Sequence, residues 1–235
     1  KEFGDGIIRE LDLKAEQYNM KRLARNMEHI PGVVVPRAYP ELSSSKVLTM
    51  EFLEGVKITN VQAIQEADLV CGPIGEIILR ALVKQLLIDG FFHADPHPGN
   101  ILINLETGKV GFLDMGMMGE IDLSKRIHLI NLLMVARQRD AAGLGRAVRN
   151  LSVPFRKNVD DGRFYKDFER SVGRFLDPEV VPSFGELMAV VFTVLSAHGL
   201  RLDSDLTLAI KAMMQAEAIY NALYPAGGGL IDQGF

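Results

Sequence analysis

The spacing of apolar residues changes along the chain, and it predicts a mixed α+β protein. The first part contains three predicted elements: a helix over 5–30, a short strand over 33–36 with Tyr39, and a strand over Lys46–Phe52. Gly55 then marks a break. Because a two-stranded sheet is marginal by itself, we expect residues upstream of Lys1 to complete this one. The first residue is Lys rather than Met, which agrees with a start inside a longer protein.

The remainder of the chain follows mostly helical spacing. An apolar stripe that begins at Pro73 and closes at Gly90 predicts a core helix, after a short helical or loop segment over Ile58–Asp68. The runs Ile101–Ile103 and Val110–Leu113, joined by a turn that contains glycine, predict a β-hairpin. Four further helices are predicted over 123–151, 164–176, 182–198 and 203–224, the last capped by Asp203 or Ser204.

Polar side chains gather at one end of the predicted hairpin. His93, Asp95, His97 and Asn100 come just before its first strand, and Asp114 follows its second. Two carboxylates and a carboxamide offer oxygen ligands, which suit Mg²⁺ and phosphate chemistry. In phosphoryl transfer one aspartate orients or deprotonates the acceptor, while the asparagine and the second aspartate hold Mg²⁺. The stretch HADPHPGNILINLETGKVGFLDMG therefore predicts a phosphoryl-transfer site.

Three other interpretations compete for this stretch. His93, Asp95 and His97 could bind zinc, but they lack the helical His-x-x-x-His spacing with an adjacent glutamate, and Cys71 stands alone. A nucleophilic triad would need a Gly-x-Ser-x-Gly elbow or a cysteine beside a suitable partner, and the sequence offers neither. A structural role leaves unexplained why an aspartate and an asparagine lie five residues apart, with a second aspartate fourteen residues further on.

Composition excludes several classes of protein. The 235 residues carry 24% charged side chains, a formal net charge of −4 and no dense block of lysine and arginine, so phosphate-driven nucleic-acid binding is not expected. A solvated helix face accounts for four arginines, Arg137, Arg139, Arg146 and Arg149. The single cysteine, Cys71, forms no internal disulfide and favours a reducing cytosol. The longest apolar stretch, Leu187–Ala197, is shorter than the ~20 residues that a membrane-spanning helix requires, and it predicts a buried helix.

The residues of the predicted site also carry a resemblance to a known family. His93-Ala94-Asp95 with Asn100, and then Asp114-Met115-Gly116, resemble the catalytic loop and the Asp-Phe-Gly element of the protein-kinase-like fold. The longer wording HADPHPGNIL, with ELDLKAE before it, is similar to the UbiB/AarF/ADCK atypical kinases, which are associated with ubiquinone and other isoprenoid-lipid metabolism. Aminoglycoside and choline phosphotransferases carry a related loop but lack the Glu-x-Asp helix signature, which Glu10 and Asp12 match here.

The resemblance implies a protein-kinase-like α+β fold, with a partial N-lobe over 1–54 and a mostly helical C-lobe over 55–235. The implied roles are these: Asp95 is the catalytic-loop aspartate, Asn100 and Asp114 bind Mg²⁺, Glu16 pairs with the phosphate-binding lysine, and Glu10 and Asp12 form the acidic pair of the family. Met50 would be the gatekeeper before the hinge, where the backbone of Glu51 and Leu53 would meet adenine. ATP and Mg²⁺ are the implied cofactors.

Three departures from the family pattern change what we expect. Met115 replaces the usual phenylalanine, a swap of similar volume that should keep the packing. Ala94 replaces the arginine that would engage a phosphorylated activation loop, so such phosphorylation is not expected to be the switch. No Gly-rich or Ala-rich nucleotide loop, strand lysine or Lys-x-Gly-Gln segment precedes Lys1, and phosphate positioning without them loses a main cation. We expect this piece of the chain to be inactive by itself.

Two functions are carried forward. The first is a Mg-ATP-dependent phosphotransferase or ATPase of the UbiB type that supports the biosynthesis of ubiquinone or related isoprenoid lipids. The second is a non-catalytic, pseudokinase-like binding or scaffold module. The implied partners are a nucleotide and an isoprenoid lipid or quinone-biosynthesis proteins, without nucleic acid. The expected location is the cytoplasm, with the inner face of a membrane as an alternative, and the oligomeric state and the phosphate acceptor stay open.

Overall fold

The computed structural model describes residues 13–177, 180, 183–228 and 230–231, and these residues form a mixed α/β fold. Their α-helices are α1 (Leu13–Met27), α2 (Val61–Glu66), α3 (Cys71–Val83), α4 (Leu123–Arg137), α5 (Ala141–Leu151), α6 (Asp161–Val172), α7 (Phe184–Ala197) and α8 (Ser204–Leu223). Their strands are β1 (Val33–Val34), β2 (Val56–Lys57), β3 (Phe91–His93), β4 (Ile101–Ile103), β5 (Val110–Phe112), β6 (Met118–Glu120), β7 (Ser152–Pro154) and β8 (Leu200–Leu202). The first predicted helix is described from Leu13 onward, and its residues 5–12 lie outside the described part.

The strands form small sheets, and the largest of them contains the predicted hairpin. This sheet has the order β1-β5-β4-β2, with β1 parallel to β5 and the other two pairs antiparallel. β3 pairs with β6 and β7 pairs with β8, both antiparallel. The hairpin is confirmed as β4 and β5, in a register that sets Ile101 opposite Phe112. Its turn is stabilised because the Asn104 side chain accepts hydrogen bonds from the backbone N–H groups of Glu106 and Thr107.

Helix α3 is a central element of the apolar core, as the stripe between Pro73 and Gly90 predicts. It packs along α8 and continues into a π-helical turn over Lys84–Asp89. Gly90 ends the helix with a φ of 66°. A Cβ at this position would lie 2.6 Å from the carbonyl oxygen of Ile121, so only glycine fits. The chain then enters β3, which leads directly into the predicted site.

The prediction of a strand over Lys46–Phe52 is wrong. It forms only an isolated antiparallel bridge, between Met50 and Ala38. Leu48 packs against the core, but Val47 is 54% exposed and Phe52 is 85% exposed, so most apolar side chains of this stretch are not covered by a second layer. Apolar and β-branched composition favours a strand only where such a layer exists.

The prediction of one helix over 123–151 is also wrong, because the chain forms two helices there, α4 and α5. Arg139 takes a left-handed φ of 58° between α4 and α5, and Asp140 then caps α5 by accepting a hydrogen bond from Gly143 N–H. The Arg139 guanidinium donates to the carbonyl oxygen of Asp177, so a distant segment holds the turn. The predictions also lacked β2, β3, β6, β7 and β8, because two or three residues are too few to establish a period. The other predicted helices are confirmed within a few residues, and Asp203 is the cap of α8.

The apolar stretch over 187–197 is a buried helix, as predicted. It forms most of α7, in which Leu187, Val191 and Leu195 are buried at helical spacing. Helix α7 packs against α6 and α8, so its apolar side chains belong to the protein core. In the described part of the chain, no helix is long and apolar enough to cross a bilayer.

A buried carboxylate ties α8 to the start of α7. Glu217 is 2% exposed. It accepts four hydrogen bonds of 2.9 Å, from the Ser183 hydroxyl and from the backbone N–H groups of Phe184, Gly185 and Leu230. The first turn of a helix carries unpaired N–H groups and a partial positive charge. A carboxylate at this place accepts hydrogen bonds from the N–H groups and is attracted by the charge. Glu217 thereby fixes the position of α8 along its axis.

A solvated ion pair joins the N-terminal ends of α4 and α8. Lys125 Nζ lies 2.6 Å from Asp205 Oδ2 and 3.1 Å from Asp203 Oδ2. The hydrogen bond from Lys125 lowers the pKa of Asp205, so the stabilisation is complete above the ordinary value of 3.8 and is lost as pH falls through the lowered pKa.

We expect Asp205→Asn to lower Tm by about 1–3 °C at pH 7, because exposed ion pairs stabilise weakly. Thermal scans at decreasing pH should show the difference from the wild-type protein shrinking below about pH 4. A difference that grows on acidification would contradict the assignment.

Candidate functional site

The predicted catalytic loop is held by strand β3 and its partner β6. The ladder continues past His93, since Ala94 N–H donates to the carbonyl oxygen of Met117 at 3.0 Å. His93 is buried, and its Nδ1 accepts a hydrogen bond from Asp95 N–H at 3.2 Å. Burial lowers the pKa of His93, while the Asp114 charge, a hydrogen bond to the Asp114 backbone and the Asp95 charge oppose this shift. The His93 ring therefore links the two loops that carry the predicted site.

Asn100 and Asp114 meet at the end of the β4–β5 hairpin. Leu113 N–H donates to the Asn100 carbonyl oxygen at 2.9 Å, which closes the hairpin directly beside the site. Asn100 Nδ2 lies 3.4 Å from Asp114 Oδ2, and Asp114 Oδ1 accepts a hydrogen bond from Gly116 N–H at 2.8 Å. Asp114 is exposed, whereas Asp95 and Asn100 are half-buried. The fold thus brings together the two residues predicted as Mg²⁺ ligands.

The donor set fits Mg²⁺ shared with phosphates better than an all-protein metal site. Mg²⁺ is usually held by one or two carboxylates, with water and phosphate oxygens completing its octahedron. Asp114 supplies the carboxylate, and the Asn100 carboxamide lies next to it. Among the described residues, no three His, Cys, Asp or Glu side chains come close enough to hold a metal ion. The zinc interpretation of His93, Asp95 and His97 therefore finds no support in the geometry.

Helix α1 places Glu16 against the loop of Asp114. Glu16 Oε1 accepts a hydrogen bond from Met115 N–H at 3.2 Å, and Asn19 Nδ2 donates to the Met115 carbonyl oxygen at 2.9 Å. Met115 is fully buried, as expected of a residue that replaces phenylalanine in the core. Burial raises the pKa of Glu16, the Met115 N–H opposes this shift, and the Asp114 charge adds to it. Within the residues that the structure describes, no lysine or arginine forms an ion pair with Glu16, so its lysine partner stays a prediction.

The predicted hinge lies beside the same hairpin. Glu51, Leu53 and Gly111 lie on the wall of a cavity of about 250 Å³. A Cβ on Gly111 would come within 2.8 Å of the Leu53 side chain, so glycine lets the hinge approach β5 closely. Glu51 N–H donates to the Arg37 carbonyl oxygen at 2.8 Å. In the described part of the chain, the Glu51 carbonyl and the Leu53 N–H make no backbone hydrogen bond, which leaves both groups able to meet a ligand.

The structure gives no support for the predicted roles of three cofactor-binding residues. Met50 is 38% exposed, bridges to Ala38 and lies outside the wall of the hinge cavity. Glu10 and Asp12 lie outside the described residues. The roles of these three residues stay predictions.

Two glutamines at the site escaped prediction. Gln215 Nε2, on α8, donates to Asp95 Oδ1 at 2.8 Å. Gln85 Oε1, in the π-helical turn, accepts a hydrogen bond from His93 N–H at 3.0 Å, and Gln85 is fully buried. Each contact joins residues of different elements, so no local spacing marks it. The one signal in the sequence is a polar residue inside an apolar helical stripe.

These residues define the class of protein. Asp95 and Asn100 before a hairpin, Asp114 after it and a helix glutamate against the Asp114 loop are the arrangement of a protein-kinase-like fold. Residues 1–148 match the ABC1 atypical kinase-like domain, and residues 182–226 match the UbiB helical domain. The chain belongs to the ABC1 atypical kinase-like family, which confirms the family expected from the catalytic-loop and helix motifs.

Relatives with similar sequences come from plants and cyanobacteria. The chain is 32% identical over 225 residues to the Arabidopsis thaliana protein ACTIVITY OF BC1 COMPLEX KINASE 7, chloroplastic, covering 93% of this chain and 32% of that protein. It is 31% identical over 235 residues to an uncharacterized Synechocystis protein, covering 95% of this chain and 39% of that protein. The chain thus spans about a third to two fifths of the length of these relatives.

A solved structure has the same fold. It is the complex of Rv3197 with erythromycin from Mycobacterium tuberculosis, which matches with a TM-score of 0.60 and 21% sequence identity. The match covers 92% of this chain and 55% of that chain. The fold of the described residues is therefore shared with a longer protein.

Proposed function

We propose that this chain is the kinase-like part of a Mg-ATP-dependent phosphotransferase or ATPase of the UbiB type. The observation that carries the proposal is the meeting of Asn100 and Asp114 at the hairpin end, with Nδ2 and Oδ2 3.4 Å apart. Asp95 belongs to the same loop and is aligned by His93. An aspartate base, an asparagine and a second aspartate are among the protein groups that protein kinases use for phosphoryl transfer.

Each residue has a distinct task in this proposal. Asp95 orients the acceptor hydroxyl or water and takes its proton, while Asn100 and Asp114 hold Mg²⁺ against the phosphates. Bound Mg²⁺ supplies positive charge that offsets the charge of the phosphates. His93 is buried and links the two loops through its hydrogen bonds. Glu16 holds the Met115 backbone and thereby the loop of Asp114.

The hinge cavity is the proposed adenine site. The Glu51 carbonyl would accept a hydrogen bond from the amino group of adenine, and the Leu53 N–H would donate to a ring nitrogen. Support comes from their position on one cavity with Leu102, which lies two residues beyond Asn100 on β4. The nucleotide would therefore extend from the hinge along the hairpin to the Mg²⁺ ligands.

The finer proposal is that this activity supports the biosynthesis of ubiquinone or related isoprenoid lipids, at the inner face of a membrane. Its support is the family resemblance and the kinase name of the Arabidopsis relative. The phosphate acceptor is an isoprenoid lipid, another small molecule or water.

A scaffold without catalysis is the second candidate function. The hydrogen bond between Glu16 and the Met115 backbone favours it, because this bond holds the Asp114 loop whether or not phosphate is transferred. Tight Mg-ATP binding by the full-length gene product without turnover would favour the scaffold.

We expect Asp114→Asn to weaken Mg-ATP binding at least about tenfold in isothermal titration of the full-length gene product, because the variant loses the one carboxylate of the metal pair. Binding of ATP without Mg²⁺ should change little. Glu106→Gln, at the opposite and exposed end of the same hairpin, is the matched control.

Two outcomes would count against the proposal. Unchanged Mg-ATP affinity and turnover in Asp114→Asn would contradict both the proposed enzyme activity and the proposed nucleotide site. Cells that lack the gene can be complemented with the wild-type protein or with Asp114→Asn. Equal quinone content in the two strains would contradict the proposed role in isoprenoid-lipid biosynthesis.

A further inference from the structure

Helix α8 delivers a neutral hydrogen-bond donor to the predicted base. Gln215 Nε2 donates to Asp95 Oδ1 at 2.8 Å, although the two residues are 120 positions apart in the chain. Both side chains are half-buried, so the bond is partly shielded from water. Beside it lies a cavity of about 370 Å³, which is lined by Ala94, Asp95, Met117, Lys211, Met214 and Gln215.

The position of Gln215 is fixed by the packing of its helix. Its neighbours Met213 and Ala216 are buried at 2% and 1% exposure. Asp203 caps the start of α8, and Glu217 anchors the helix through three hydrogen bonds from the start of α7 and one from Leu230 N–H. A side chain on so constrained a helix meets Asp95 in one geometry, which is the requirement for positioning a reacting group.

We propose that Gln215 is a positioning residue that holds one carboxylate oxygen of Asp95, so that the other oxygen takes the proton of the phosphate acceptor. This inference rests on the proposed function, since it assigns Gln215 a part in the same reaction. In that step the acceptor oxygen bonds to the γ-phosphorus, the bond from the γ-phosphorus to the β–γ bridging oxygen breaks, and ADP leaves with the electron pair. The acceptor proton passes to Asp95.

A carboxamide suits this task better than a cation. A lysine or arginine bonded to Asp95 would stabilise the carboxylate strongly and weaken it as a base, whereas a neutral donor orients it at a smaller cost in basicity. Other titratable groups also face Asp95. Lys211 lines the same cavity one helical turn before Gln215, and His93 Nδ1 accepts a hydrogen bond from Asp95 N–H. The Asp114 charge also acts on His93. Gln215 is the neutral side chain that bonds the Asp95 carboxylate directly.

The test compares Gln215→Leu and Gln215→Glu in the full-length gene product. Gln215→Leu should lower kcat roughly 10- to 30-fold, the order expected for the loss of one hydrogen bond to a charged group, while KM for ATP stays within about twofold. Gln215→Glu should lower kcat at neutral pH and move the acid limb of its pH profile to higher pH, because two adjacent carboxylates resist simultaneous ionisation. Asn221→Asp adds the same charge to α8 on another face of the helix and is the control.

A spectroscopic readout separates this inference from the proposed function. The side-chain carboxyl carbon of Asp95, labelled with ¹³C, should change its chemical shift in Gln215→Leu and keep it in Asn221→Asp, with or without turnover. An unmoved resonance, or an unchanged kcat in both Gln215 variants, would overturn the positioning role. A moved resonance in a protein without any Mg-ATP turnover would overturn the proposed function and leave the contact established.

Discussion

Replacement of Asp95 by asparagine is expected to lower turnover about 10³-fold while Mg-ATP affinity stays nearly unchanged. A positioned general base contributes about 10²- to 10⁴-fold, and a carboxamide cannot take the acceptor proton. The variant keeps the shape of the side chain and an oxygen that can accept from Gln215, so the loop should stay in place. In the proposed site Asn100 and Asp114 would hold the metal without help from Asp95, which is why nucleotide binding should survive. Single-turnover kinetics together with titration calorimetry would measure both quantities in the full-length gene product.

The matched control is Asp68→Asn. Asp68 is exposed and has a left-handed φ of 59°, a conformation that asparagine also adopts readily, so the change should leave turnover and stability as they are. Turnover that persists in Asp95→Asn would show that Asp95 is not the base. If Mg-ATP binding fell as strongly as turnover, Asp95 would instead belong to the metal site.

The core of the candidate site could be predicted because its residues are local in sequence. Asp95, Asn100 and Asp114 flank one hairpin, and a hairpin brings the residues before its first strand next to those after its second. Glu16 is distant in the chain; the family resemblance predicts a lysine partner for it, and its contact with the Met115 backbone was not predicted. Neither local sequence nor the resemblance predicted the role of Gln215, since its bond to Asp95 depends on how α8 crosses the loop. Tertiary packing, which no local period encodes, decides that crossing.

The same distinction holds for the fold. Gly90 ends the helix that begins in α3, because a residue with a left-handed φ is needed there. A glycine after an apolar helical stripe predicts such a helix end from the sequence. The break between α4 and α5 has no such signal, because Arg139 is an ordinary helix former. Its left-handed conformation is supported by the cap at Asp140 and by a bond to the distant carbonyl of Asp177. Propensity is overridden there by contacts that only the folded chain supplies.

Removal of the Glu217 carboxylate is expected to have the largest effect on stability. Glu217→Ala leaves four buried or half-buried donors without their acceptor, including the first backbone N–H groups of α7. A buried donor left without its acceptor costs about 1–3 kcal/mol, so the four together are expected to cost about 3–5 kcal/mol or more, which in a chain of this size lowers Tm by roughly 10 °C. Thermal and urea unfolding of the variant would measure the loss.

Glu186→Ala is the control that separates burial from charge. Glu186 also lies in the first turn of α7, but it is exposed, so its loss should cost less than about 1 kcal/mol through the helix dipole alone. Equal destabilisation by the two changes would show that Glu217 acts only as a charge near the helix terminus. If Glu217 instead fixes α8 along its axis, Glu217→Gln, which keeps one acceptor oxygen, should lose both stability and part of kcat. The second loss would follow because Gln215, two residues earlier, would no longer be held against Asp95.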